Sequence, residues 1–218
     1  MPSPNEVKLD TYQKILQSAG EVFVEYGFQN ATVRDICKRA EVNLAAINYH
    51  FRDKEGLYVE VLRHWAQTAM EKYPPDLGVE ESDPPEAKLQ AFIRSNILRM
   101  LDEGQPSWFW KLVAREFSEP TRALDMLVND FIRPSFVVLS SIVRSLLGSH
   151  ATDETIRLYC MSIVGQCLHF YNARHVIARL FHKDGYLPEE KEQIAEHICR
   201  FSLNAIQHMS KNQSGEKN

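Results

Sequence analysis

Residues 44–51, LAAINYHF, put two alanine methyls, a carboxamide, a phenol and an imidazole within about two helical turns. At helical spacing Ala45, Ala46 and Tyr49 share one side, flanked by Asn48 and His50, while Leu44, Ile47 and Phe51 turn to the other. A helix this short is marginal alone and must be held by packing of its apolar side. The first set is therefore left without a structural task. Base edges in a DNA major groove present acceptors, donors and thymine methyls, which methyls, an amide and a phenol on a protruding helix can meet.

Other chemistries find little support. Eight histidines are scattered without the HExxH or CxxC spacing of a zinc site. His169 follows Cys167 by two residues, on a different side of the same helix, which separates them for a single ion. His50 suits a phosphate contact or a helix-end hydrogen bond better than a metal bond. No Gly-rich phosphate loop or nucleophile elbow occurs, and Glu80, Glu81 and Asp83 lie in a Pro-rich stretch where acids solubilise. The expectation is a protein with no metal, no cofactor and no enzymatic activity.

Positioning residues 44–51 falls to their neighbours. Thr32 reads as the N-cap of a helix over 33–40, whose apolar positions Val33, Ile36, Cys37 and Ala40 recur at helical spacing. In the turn Glu41-Val42-Asn43, Val42 is an apolar plug and Asn43 the next N-cap. A preceding helix over 7–26 carries the stripe Tyr12, Ile15, Leu16, Ala19, Val22, Phe23 and Tyr26, and Gly27 ends it. Asp53 caps a fourth helix, with the stripe Leu57, Tyr58, Val61, Leu62, Trp65, Ala69 and Tyr73, which stops before Pro74-Pro75.

Residues 12–57 resemble the helix-turn-helix head of TetR-type (TetR/AcrR) transcriptional regulators. In that family an aromatic-His-Phe motif closes the recognition helix, here Tyr49-His50-Phe51. A Lys-Glu pair, here Lys54-Glu55, opens the long helix that leads into the regulatory domain. The string NLAAINYHF is similar to that of one subgroup. One departure is Glu41, at a turn position usually held by Gly, where a side chain adopts left-handed geometry only at some cost. The resemblance implies an all-α fold: a three-helix DNA-binding domain over 1–55, then an effector-binding and dimerisation domain over 56–218. It implies that Thr32 and Arg34 contact phosphate or an adjacent base edge. Ala45, Ala46 and Tyr49 then face the groove, together with Leu44; Asn48, His50 and Lys54 anchor phosphates, and Asn43 belongs to the same surface.

Composition fits such a protein. The chain has 218 residues, of which 44 % are apolar and 25 % charged, enough for a small and a larger domain. No apolar run approaches the roughly 20 residues that cross a bilayer. The start MPSPNEVKLD lacks the basic-then-apolar order of a secretory signal, so a cytoplasmic location is expected. Four cysteines, Cys37, Cys160, Cys167 and Cys199, sit in helical apolar patterns and read as reduced packing residues. The net charge of −4 weighs against a nucleic-acid partner, but its distribution matters more. Between Phe28 and Glu55, Arg34, Lys38, Arg39, Arg52 and Lys54 face Asp35, Glu41, Asp53 and Glu55. So small a surplus leaves discrimination to base readout.

Every later long segment also reads as helix. One runs over 86–101, closed by Asp102-Glu103-Gly104, and Pro106 starts another that ends near 118. The pattern over 121–147 contains Pro134, which breaks or kinks it near Arg133. The last helices run over 153–181 and 189–209, before a polar tail expected to be disordered. Both have apolar residues on two sides, which fits a central helix in a monomer or a helix shared with a second copy. The second reading gives a homodimer through Leu158, Ser162, Gly165, His169, Ile198, Ser202 and Ile206, with small residues at a close crossing. Trp65, Phe92, Trp108, Trp110, Arg115, Phe136, His169 and Tyr171 are either core or the lining of an effector pocket. Trp108 and Trp110 cannot both face inward on one straight helix. The function taken from this is a homodimeric repressor that binds double-stranded operator DNA and is released by a small apolar or amphipathic effector. The rivals are a ligand-binding protein that has lost DNA binding and an enzyme on the same scaffold.

Overall fold

The alternation of apolar stripes with capping residues produces helices alone: no strand occurs among the described residues, 4–102 and 106–215 of a computed structural model. They are α1 (Pro4–Asn30), α2 (Val33–Ala40), α3 (Leu44–Phe51), α4 (Lys54–Lys72), α5 (Pro85–Leu101), α6 (Pro106–Ser118), α7 (Ala123–Leu127), a π-helical turn (Val128–Ile132), α8 (Arg133–Leu147), α9 (Asp153–Asn172), α10 (Arg174–Leu180) and α11 (Pro188–Gly215). Two compact units result, Met1–Thr68 with Gly104–Phe131, and Ala69–Glu103 with Ile132–Asn218.

In the first unit Ile15, Leu16, Ala19, Val22 and Phe23 of α1 are buried with Ile36, Ile47, Phe51, Leu57, Tyr58, Val61 and Leu112. Phe23 meets Tyr58 edge-on at 4.9 Å between ring centroids, and Phe28 lies 4.9 Å from the same ring. Gly27 interrupts α1 with φ 76° and ψ 169°, and the helix then resumes to Asn30 instead of ending there. Arg115 of α6 donates to the Phe23 and Val24 carbonyls, 3.3 and 3.0 Å away, just before the break. A Cβ at Gly27 would run into that guanidinium, so both the left-handed backbone and the close approach require glycine.

The second unit buries Leu89, Phe92, Ile93 and Ile97 of α5, Leu139 and Val143 of α8, Ile156, Cys160, Ile163 and Cys167 of α9, and Ala195, Ile198 and Ile206 of α11. Arg94 makes a two-pronged ion pair with Glu192, both contacts 2.7 Å, tying α5 to α11.

One expectation holds and three change. The 121–147 pattern divides into α7, the π turn and α8, with Pro134 in the first turn of α8, where its missing N–H costs nothing. The 153–181 helix is two helices. At Ala173 (φ −87°, ψ 3°) the path turns, and Arg174 donates to the Tyr171 carbonyl at 2.8 Å. The last helix continues to Gly215 instead of giving way to a disordered tail at 210, and residues 216–218 lie outside the described residues, as do Glu103 and Gly104. One stretch, Ala123–Leu147, reaches a mean hydropathy of 1.4 over 18 residues, so by length and composition an apolar run does approach a membrane span. It is broken by the π turn and carries Asp130, Arg133 and Arg144 along its length.

Candidate nucleic-acid interface

Both helices of the turn are fixed by the caps their sequences supply. Thr32 Oγ1 accepts from the Asp35 N–H at 3.2 Å and donates to the Asp35 carboxylate at 2.5 Å. Asn43 Oδ1 accepts from the Ala46 N–H at 3.0 Å. Glu41 takes the left-handed conformation expected of the turn, φ 55° and ψ 40°. Inward, Ile47 and Phe51 are buried, and Phe51 stacks on Tyr12 of α1 at 4.9 Å, with His50 edge-on to the same ring at 5.8 Å.

The outward side of α3 is Leu44, Ala45, Asn48 and Tyr49, all exposed, Tyr49 by 70 % and Leu44 by 55 %. Leu44 is therefore not a partner of Ile47 and Phe51 in the core. It occupies the first helical position, and a helical Cβ leans toward the N-terminus, which carries this side chain past the packed segment. Ala46 and His50 are half-buried at the edges of the face.

The cations around α3 divide sharply. Arg34, Lys38 and Arg52 are exposed and form no ion pair among the described residues, whereas Arg39 is bound to Glu25 at 3.0 Å. Lys54 departs from the expected phosphate anchor. Its ammonium donates to the Phe28 carbonyl at 2.8 Å and the Ala31 carbonyl at 3.2 Å, and lies 4.5 Å from the Phe28 ring. With its donors directed at the end of α1, it acts as a brace. Lys38 and Arg52 were counted in the sequence only as charge; the signal for Arg52 was its place four residues after Asn48, on the same helical edge.

The effector candidates fall in both units. In the first, Trp65 is buried against Trp108 at 5.2 Å, its Nε1 without an acceptor among the described residues. Phe109 is the buried member of its trio, Trp108 and Trp110 are half-buried, and Arg115 is engaged by the α1 carbonyls. Glu116 is buried beside them. Its carboxylate accepts from Tyr58 Oη at 3.0 Å and from the Thr121 N–H and hydroxyl at 2.9 and 3.1 Å. Burial, then the nearby carboxylate, pushes the Tyr58 phenol up. In the second unit Phe92 and Tyr171 are buried, Phe136 is half-buried and His169 is exposed.

The proposed interface residues divide too. Leu158, Ser162, Gly165 and His169 are exposed along α9, but Ile198, Ser202 and Ile206 of α11 are buried in their own unit. The exposed side of α11 carries His197, Phe201 and Ala205 instead. Phe201, 60 % exposed, joins Leu158, Ser162 and Gln166 in lining a shallow groove between α9 and α11.

A capped helix-turn-helix that presents a short exposed helix, attached to a larger helical unit, defines a DNA-binding transcriptional regulator. Residues 85–206 match the model of the "HTH-type transcriptional dual regulator CecR, C-terminal domain", and residues 15–61 that of "Bacterial regulatory proteins, tetR family". The chain belongs to the TetR family, a family of DNA-binding regulators and not of enzymes, among those with a CecR-type C-terminal domain. It is 27 % identical over 173 residues to the HTH-type transcriptional dual regulator CecR of Shigella flexneri, covering 76 % of this chain and 77 % of the relative. Among solved structures, one from Pseudomonas aeruginosa PAO1 described as a transcriptional regulator superposes with a TM-score of 0.70 at 19 % identity, covering 95 % and 96 % of the two chains. AibR in complex with isovaleryl coenzyme A and operator DNA gives 0.63 at 18 % identity, with 87 % and 96 % covered.

Proposed function

We propose that this regulator is a cytoplasmic homodimeric repressor, released from its operator by a small apolar or amphipathic effector. The observation that carries the DNA side is the exposure of Leu44, Ala45, Asn48 and Tyr49 on a helix whose other side is locked into the unit. On this reading residues 1–55 form the DNA-binding part and 56–218 the effector and dimer part, and the string NLAAINYHF supports membership of the subgroup it resembles. Arg34, Lys38 and Arg52 meet phosphates, beside Thr32, Asn43, Asn48 and His50. A second copy covers Leu158, Ser162 and Gly165 of α9 with Phe201 and Ala205 of α11, and two heads then read two half-sites.

AibR's structure holds both an acyl coenzyme A and operator DNA, which supports an effector-responsive reading here. Such an effector must bind the DNA-free arrangement more tightly than the DNA-bound one, because occupancy alone shifts nothing. The test is a gel shift with the promoter region of its own gene, together with light scattering. Retarded specific duplex and a dimer mass at micromolar protein are expected. A monomer, or equal binding to scrambled duplex, would overturn the reading.

A further inference from the structure

The second unit buries a guanidinium that no acid among the described residues neutralises. Arg99 of α5 is 1 % exposed, yet its only hydrogen bond among the described residues goes to the Met70 thioether, and its Nε has no acceptor. Neighbouring cations are treated differently. Lys72 has Asp102 at 2.6 Å, and Arg94 has both oxygens of Glu192. The acid nearest to Arg99 in sequence is thus already committed elsewhere. Around Arg99 lies a neutral, soft lining: Met70, and Cys167 of α9, whose thiol is pushed up to about 12, chiefly by burial, and so stays protonated. One turn along the buried side of α9 stands Tyr171, also buried. Over its ring, at 4.2 Å, sits Arg174, again with no acidic partner among the described residues.

A buried charge is retained only when something compensates it, because desolvation is costly and a thioether accepts hydrogen bonds weakly. Arginine resists the alternative of shedding its proton: burial lowers this guanidinium only to about 10, so it is a cation at neutral pH. Five donors in a fixed fork match a carboxylate, sulfonate or phosphate oxygen pair. We propose that Arg99 is the anchor for an anionic head group on the effector, whose apolar body lies along the Met70–Cys167–Tyr171 side. The assignment rests on the effector-responsive reading above and narrows it, from any apolar molecule to an amphipath with an acidic end.

The test uses two fluorophores of one skeleton on the full-length protein: 1-anilinonaphthalene-8-sulfonate and the uncharged N-phenyl-1-naphthylamine. One site per protomer is expected, with the sulfonate bound roughly tenfold to a hundredfold more tightly, as one charge-assisted contact allows. Arg99→Met keeps volume and removes charge; it should bind the two probes alike and leave the affinity for the neutral one unchanged. The wild-type comparison stands alone should the variant fold poorly, and a thermal shift in sulfonate but not in the neutral probe reports the same preference. No sulfonate binding, equal affinities in the wild type, or an unchanged preference in Arg99→Met would overturn the assignment. Operator release is scored separately. A preference for the sulfonate with no release would refute the regulatory reading and leave the anion site standing.

Discussion

Replacing Ile47 and Tyr49 separately by alanine tests whether one short helix keeps its packing and its reading on opposite sides. Ile47 is fully buried, so truncation removes three carbon atoms from a packed core. Isoleucine-to-alanine changes of this kind cost about 2–5 kcal/mol. For a chain of this length that lowers the melting temperature by roughly 2–4 °C per kcal/mol. Tyr49 is 70 % exposed, and its removal should change stability by no more than about 0.5 kcal/mol. Its effect belongs on DNA. A lost base-edge or methyl contact costs about 1–3 kcal/mol, a weakening of roughly 5- to 150-fold on the operator, and much less on scrambled duplex. Circular-dichroism melting and fluorescence anisotropy at several salt concentrations separate the two quantities. If Tyr49→Ala melts as early as Ile47→Ala, or weakens operator and scrambled duplex equally, the assignment of Tyr49 to base reading is wrong.

Lys54→Met should cost about 1–3 kcal/mol of stability through the lost hydrogen bonds to the Phe28 and Ala31 carbonyls. The slope of log affinity against log salt should stay unchanged, and a fall of about 0.9 would return the ammonium to a phosphate. Glu116→Leu should destabilise by about 1–3 kcal/mol or more, since it leaves the buried Tyr58 hydroxyl and the Thr121 N–H without their acceptor, and chemical denaturation reads this directly. Phe201→Glu places a charge at the centre of the proposed two-fold contact. It should give a monomer by light scattering, with operator binding weakened and the α-helical spectrum retained.

Features written in local chemistry were legible: Thr32 and Asn43 as caps, Gly27 as a left-handed position, Pro134 as a point where one pattern divides. Each acts through its own backbone and needs no knowledge of what packs on it. The break at Ala173 has no such marker: beside it the Tyr171 carbonyl accepts from the side chain of Arg174, a residue that also reads well inside a helix. Lys54 misled for a related reason. An ammonium beside a recognition helix suggests phosphate, and only the tertiary structure brings the Phe28 and Ala31 carbonyls within reach. Arg99 drew no notice in the sequence, although Leu89, Phe92, Ser95 and Arg99 recur at three- and four-residue spacing along the buried side of α5. Taken with its residue type, that periodicity is what marks a buried cation.

The register of α11 shows where periodicity stops being informative. Ile194, Ile198, Phe201 and Ala205 make one apolar row, and Ala195, Cys199, Ser202, Ile206 and Met209 another. Counting hydrophobic residues cannot say which row is inside. Ser202, as part of the second of these rows, is expected at an intermolecular contact. Its use is intramolecular, since it is buried and its hydroxyl accepts from Gln166 of α9 at 3.4 Å, while Tyr159 of α9 donates to the Ala205 carbonyl at 3.2 Å. Close approach of α9 to α11 within one protomer uses up Ser202, while Ser162 and Gly165 of α9 stay exposed. Also outside is the bulkier Phe201, beside Leu158 and Met161, which are 55 % and 59 % exposed. In the proposed two-fold contact, a second copy that covers these side chains would gain the apolar burial on which obligate dimers rest, with large residues on the rim of the α9–α11 groove beside the small Ser162 and Gly165.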